Sequence, residues 1–171
     1  MKQYDRELEY SFSVSAAQAA KLFRDGTLTP VATERITQTW LEQGEVGGYK
    51  IRRRIRKIEA LTYDKVIYEY TTKYSKNDEK AATQDNMELN AEITPEEYEK
   101  LKKIYEVAGK EEVVKIRTHF RTPLNTLSIY TLDTYPNEEG DRARIEIEFK
   151  SKEEMSRWKA PDWFKELINE K

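Results

Sequence analysis

Glutamates recur at alternate positions in three separate stretches: Glu7 and Glu9, Glu88 and Glu92 with Asn90 between them, and Glu146 and Glu148. Cations keep the same spacing elsewhere, as Lys50, Arg52, Arg54 and Arg56 and again as Lys115, Arg117, His119 and Arg121. Lys73 and Asp133 hold similar places in stretches of their own. Alternation puts each set on one face of a strand. A sheet with one solvated face is the commonest cause of such a pattern. A solvated face usually mixes signs with neutral polar residues, because like charges side by side repel. Here the signs are segregated stretch by stretch, which costs repulsion unless opposite charge sits among them. Paired carboxylates are hard oxygen ligands for Mg²⁺ or Mn²⁺, and paired Arg and Lys make bidentate and point contacts to phosphate oxygens. A ligand that satisfies both sets is a metal-bound polyphosphate.

The elements that must carry these faces are legible as periodicity. Strict alternation marks strands at 6–14, 34–41, 48–57, 64–75, 85–93, 112–121, 126–135 and 142–150, about eight in all. Helical spacing marks 15–24, where Ser15 offers a cap, and 94–108, where Thr94, Pro95 and Glu97 make a capping-box start. Two shorter helices follow, at 151–158 behind the capping box SKEE and at about 161–168. The polar stretch 75–85 reads as the main loop, with turns at Gly47-Gly48 and 136–140. Eight strands are enough to close a barrel. The expected architecture is α+β and mainly antiparallel, an eight-stranded closed β-barrel forming a tunnel. Its charges would face a wet lumen, and helices would cover its apolar outer faces.

The 171 residues are read as a single domain over 1–171. Charged residues reach 36% but balance to a net −2, which excludes the basic surplus of a general nucleic-acid binder and the one-sided charge of a disordered chain. With no cysteine, disulfides, Cys-ligated zinc or iron–sulfur centres and thiol nucleophiles are excluded too. No stretch approaches the roughly 18 apolar residues of a membrane span. A cytoplasmic protein with no membrane partner is therefore expected.

Nearly the whole chain, from about residue 5 to 167, resembles the CYTH superfamily, the triphosphate tunnel metalloenzymes. That family includes inorganic triphosphatases, thiamine triphosphatases, class IV adenylyl cyclases and some RNA triphosphatases. Its opening strand carries two glutamates and a lysine at alternate positions; ELEYSFSV matches at Glu7, Glu9, Phe12 and Val14, but Ser11 stands where the lysine belongs. Arg52 and Arg54 in YKIRRRI are similar to its paired arginines, and Lys73 in YTTKY to its fourth-strand lysine. NMELNAEI keeps the acids Glu88 and Glu92 but has Asn90 for an acid and Asn86 for an arginine. Lys115 and Arg117 in VVKIRTHF, Asp133 in TLDTY, and Glu146 and Glu148 in ARIEIEFKSKEE continue the likeness, which closes on APDWF at 160–164.

The resemblance implies that Arg52, Arg54, Lys73, Lys115 and Arg117 hold the phosphates. Glu7, Glu9, Glu146 and Glu148 would hold a divalent cation, Mg²⁺ or Mn²⁺. Glu7, Glu9, Ser11 and Lys73 are the residues expected at the reacting centre, while Glu88, Glu92 and Asp133 are lesser candidates, as ligands or as partners that orient the cations. Each of these charges has an alternative reading as half of a salt bridge across the lumen, and for Lys50, Arg56 and Arg121 that reading is favoured. His119, the single histidine, faces the lumen without an assigned role, and Trp40, Trp158 and Trp163 read as packing residues. A hydroxyl at position 11 brings no positive charge and no ready base, and no base at recognisable spacing makes Ser11 a nucleophile. Two functions stay open. One is a metal-dependent hydrolase of inorganic triphosphate or an organic or nucleoside triphosphate. The other is a catalytically weakened protein that sequesters such a ligand. The implied partner is a triphosphate-containing small molecule, with no nucleic acid beyond a possible 5′-triphosphate end.

Overall fold

A computed structural model describes residues 3–76, 83–122 and 129–168. Its elements are β1 (Gln3–Ser15), α1 (Ala16–Arg24), β2 (Thr29–Val46), β3 (Tyr49–Ala60), β4 (Val66–Lys76), β5 (Thr83–Glu92), α2 (Pro95–Val107), β6 (Glu112–Arg121), β7 (Ile129–Thr134), β8 (Arg142–Phe149), α3 (Lys152–Arg157) and α4 (Asp162–Ile168). Every strand pairs antiparallel with two neighbours, in the order β1-β5-β4-β3-β2-β6-β7-β8, and β8 returns to β1, so the eight-stranded sheet closes into a ring.

Local chemistry explains most of the boundaries. Gly47 and Gly48 both have positive φ, 57° and 81°, the conformation of a two-residue hairpin between Val46 and Tyr49. Thr94 caps α2 in a full capping box with Glu97, and Pro95 opens its first turn. Ser15 accepts from the Gln18 amide, while Asp141 from the β7–β8 connection accepts from the Ala17 amide at 2.7 Å, tying the start of α1 to the far side of β8. Ser151 caps α3 in the same way, through the Glu154 amide at 3.1 Å.

β1 begins at 3 rather than 6 and β3 runs to 60 rather than 57, and two further strands, β2 and β7, also differ from the sequence expectation. β2 runs from 29 to 46 rather than 34–41, because it is paired along both edges, with β6 through 29–39 and with β3 through 34–46. Its ends carry weak strand signals, and the pairing tolerates them through register shifts at Pro30/Ala32 and Trp40/Gln43. β7 begins at Ile129, and residues 126–128 of the expected strand lie outside the described residues. So does 77–82 of the stretch read as a loop, whose flanks 75–76 and 83–85 are strand.

Apolar side chains point away from the charged face and are covered on two sides. Leu8, Val14, Phe120, Leu132, Ile145, Ile147 and Phe149 pack with Ala19 and Leu22 of α1, Met155 of α3, and Trp163, Phe164 and Leu167 of α4. Ile55 and Leu41 pack under Tyr98 of α2, with Tyr68 and Tyr70 beside them. Both buried clusters therefore lie outside the ring. Among the described residues no helix is long and apolar enough to cross a membrane.

Candidate functional site

The charged residues of alternate strand positions face one another inside the ring. Lys73 on β4 reaches Glu7 on β1 at 2.8 Å, Arg54 on β3 reaches Glu88 on β5 at 3.5 Å, and Arg117 on β6 reaches Glu146 on β8 at 3.4 Å. Each pair skips the strand between its partners, which side chains can do only across a concave inner surface. Burial on that surface is deep: Glu9, Arg54, Lys73, Lys115 and Asp133 are all less than a tenth exposed.

The acids gather on one arc. Glu7, Glu9 and Glu148 each offer a carboxylate oxygen within 4.8 Å of the others. Glu9 is 4% exposed, and its Oε2 is buried with no hydrogen-bond partner. Burial pushes the Glu9 carboxyl up to about 9, helped by Glu146 and Glu7 nearby. Burial would also raise Glu7, but the Lys73 ammonium outweighs it and holds that carboxyl down to about 2. Glu148, toward the solvent, is raised by its partial burial and by Glu7 and Glu146. An orphaned carboxylate oxygen beside two more acids fits a hard divalent cation, which would satisfy the oxygen and cancel the repulsion. Glu146, expected with this group, points instead at Arg117 and at Arg144, 3.8 Å away.

The opposing arc is cationic. Arg52, Arg54 and Arg56 line β3, and the Nε of each is buried without a partner. Trp40, in register with Arg54, lies under both Arg52 and Arg54, 5.1 and 5.2 Å from their guanidinium carbons. Burial, with Arg56 close by, brings Arg54 down to about 10 despite Glu88. Arg56 has its own partner in Glu69 at 2.7 Å. On β6 the balance differs, since Asp133 accepts from Arg117 at 2.8 and 2.9 Å and pairs with Lys115 at 3.1 Å. Burial nevertheless brings Lys115 down to about 8, with Arg117 adding to the effect. Asp133 is held down to about 2 because the Arg117 and Lys115 bonds outweigh its burial.

The remaining expected residues take lesser positions. Glu88 is held by Arg54, by Lys73 at 3.9 Å and by the Asn90 amide at 3.0 Å. Asn90 also accepts from Thr71 at 2.6 Å, and Asn86 donates weakly to Glu7, so the two asparagines act as neutral bridges between charges. Glu92 is exposed at the end of β5, opposite Glu69. His119 meets Glu34 at 2.5 Å, and this hydrogen bond lowers the Glu34 carboxyl. Trp158 and Trp163 pack against α4 and the β7 aromatics, whereas Trp40 belongs to the inner face. Sequence reasoning read Trp40 as a packing residue only, and passed over Gln38, whose Oε1 is buried without a partner, and Arg144. It also overstated the segregation of signs: β8 carries Arg144 on the same face as Glu146 and Glu148, and β4 carries Glu69 on the same face as Lys73, four residues away. Parity with Glu146 was the signal that would have found Arg144.

The sequence matches no protein-family model, and no curated protein matches it significantly. Solved structures do match. A protein from Pyrococcus horikoshii OT3 superposes with a TM-score of 0.55 at 21% identity, covering 86% of this chain and 82% of its own. A candidate adenylyl cyclase from Hippeastrum with a dominant triphosphatase activity gives 0.55 at 13% identity, over 88% of this chain and 82% of its own. A candidate adenylate cyclase from Bacillus halodurans gives 0.56 at 14%, over 90% and 85%. At these identities the likeness is one of fold.

Proposed function

We propose that the ring is a β-barrel tunnel that binds a triphosphate-containing small molecule together with a divalent cation and hydrolyses its terminal phosphoanhydride. The observation that carries this reading is the opposition of two unsatisfied arcs inside one ring. Glu9 has a buried carboxylate oxygen with no partner, and three arginines across the ring have buried Nε groups with none. A metal-bound polyphosphate supplies the missing charge to both arcs at once. The shared fold with the Hippeastrum protein supports the same reading.

Glu7, Glu9 and Glu148 would hold the cation, which contributes charge neutralisation at phosphate oxygens and a lowered pKa for water. Arg52, Arg54, Lys73, Lys115 and Arg117 would hold the phosphates, and the positive charge they concentrate on the transferring group is the main catalytic task in this chemistry. Water adds to the terminal phosphorus, the bond from that phosphorus to the bridging oxygen breaks, and the shortened phosphate leaves as the water gives up a proton. Lys73, anchored on Glu7, sits where the cation and phosphate arcs meet.

One observation favours the sequestering role for the same site. Ser11, two residues from Glu9 on β1 and in register with Glu146, carries neither a positive charge nor a base at neutral pH. Phosphate release from inorganic triphosphate, ATP, GTP and thiamine triphosphate, each with Mg²⁺, Mn²⁺ or EDTA, separates the two. Metal-dependent release from at least one substrate is expected. Binding without release under every condition would assign the sequestering role, and neither binding nor release would overturn the tunnel reading.

A further inference from the structure

Ser11 is 8% exposed on the inner face, opposite Glu146 in the β1–β8 register, and its Oγ accepts a hydrogen bond of 2.5 Å from the Nε of Arg144. The serine therefore does not leave its position uncharged, because a guanidinium from the adjoining strand is seated on it. Arg144 lies on the inner face of β8, two residues from Glu146, and its Nε is 3.8 Å from a Glu146 oxygen. Its two terminal amino groups have no hydrogen-bond partner among the described residues. Its side chain is 42% exposed, so those donors are within reach of a ligand from solvent. Arg52 stands on β3, half-way round the ring from β8, with its Nε buried and unpartnered, so the two cations belong to opposite sides of the ring. Two guanidiniums facing across a cavity repel unless an anion lies between them.

We infer that Arg144, oriented by Ser11, is a phosphate-contact residue whose terminal amino groups bind oxygens of the triphosphate opposite Arg52, supplying the positive charge that Ser11 cannot. The inference rests on the tunnel reading above. A guanidinium whose Nε is fixed keeps its planar amino pair aimed in one direction, the geometry that suits two phosphate oxygens. Ser11 is then a positioning residue, and the hydroxyl and the guanidinium act as one unit. A lysine at position 11 alone would displace Arg144 rather than add to it, so the informative change is an exchange of charge between the two strands.

Calorimetry with inorganic triphosphate and Mg²⁺ tests this on the full chain. Arg144→Gln should raise Kd about tenfold or more, the loss of a charged contact. Arg142→Gln removes the same formal charge from an exposed side chain paired with Glu138, and should change Kd less than about twofold. Ser11→Ala should weaken binding by a smaller factor, and Ser11→Lys combined with Arg144→Gln should recover most of the wild-type affinity. Circular dichroism and thermal melts of each variant confirm that the fold is kept. If wild type binds and Arg54→Met weakens it while Arg144→Gln does not, the inference is overturned and the tunnel reading stands. An Arg142→Gln effect equal to that of Arg144→Gln overturns it as well, since net charge alone would then explain both. If wild type fails to bind triphosphate at all, both fall.

Discussion

Replacing Arg54 with methionine removes a charge and keeps most of the volume lying against Trp40. The consequences for binding and for stability should differ in kind. Losing one charged contact to a phosphate oxygen is expected to cost about 1.5–3 kcal/mol, roughly tenfold to over a hundredfold in Kd. The unliganded fold should hardly notice. Arg54 is 8% exposed, its Nε has no partner, its nearest carboxylate is Glu88 at 3.5 Å, and Arg56 and Arg117 repel it. Its removal does not strand Glu88, which keeps Lys73 and the Asn90 amide. Removing one partner of a buried pair is costly when it leaves the other charge unpaired, and Glu88 is not left so, while Arg54 itself is relieved of its desolvation. At about 2–4 °C per kcal/mol for a chain of this size, Tm should stay within about 4 °C of wild type or rise. Calorimetry with inorganic triphosphate and a thermal melt without ligand measure the two quantities on the same sample. A Tm lowered by about 8 °C or more, with Kd unchanged, would refute the reasoning and make Arg54 a scaffold residue.

Glu9→Gln should leave the metal-free melt unchanged or raised, because it replaces a buried carboxyl that has an unpartnered oxygen; it should also abolish most of the stabilisation by Mg²⁺, which for wild type at a hundred times Kd is about 2.7 kcal/mol. Equal Mg²⁺ stabilisation of both proteins would remove Glu9 from the cation site. Lys115, brought down to about 8, loses charge between pH 7 and 9, so triphosphate affinity should fall across that window in wild type and stay flatter in Lys115→Arg, as titrations at the two pH values will show. Asp133 is held at about 2, below its unfolded value, so its contribution is present at neutral pH and lost as pH falls from about 4 through 2. It amounts to about 2 kcal/mol, and urea midpoints should drop less over that range in Asp133→Asn than in wild type.

Strand and helix positions were legible because both faces of each element follow a strict period, as in Glu7–Leu8–Glu9–Tyr10 and Lys115–Ile116–Arg117. The inverted chemistry was legible too, since like charges repeated along a strand demand opposite charge nearby. What periodicity could not show was which charges would be answered by neighbours. Asp133 answers Lys115 and Arg117, and Glu69 answers Arg56, whereas Arg52 and the Glu9 oxygen keep unpartnered atoms, and that distinction depends on register between strands far apart in sequence. The extent of β2 was hidden by Pro30 and Gly44, which only pairing on both edges overrides. Trp40 looked like core by residue type, and its parity with Arg54 became visible only once the β2–β3 register was known. Arg144 was missed because its strand was read from its glutamates alone.

The central claim is that cation and polyphosphate occupy the ring interior together, and the most direct measurement is one calorimetric titration of inorganic triphosphate performed twice, with excess Mg²⁺ and with EDTA. The account predicts tight binding with Mg²⁺ and binding weakened by about tenfold or more with EDTA, because the acid arc repels the ligand once no cation screens it. Equal affinity under the two conditions would contradict it and leave only a cationic cradle in which Glu7, Glu9 and Glu148 play no part.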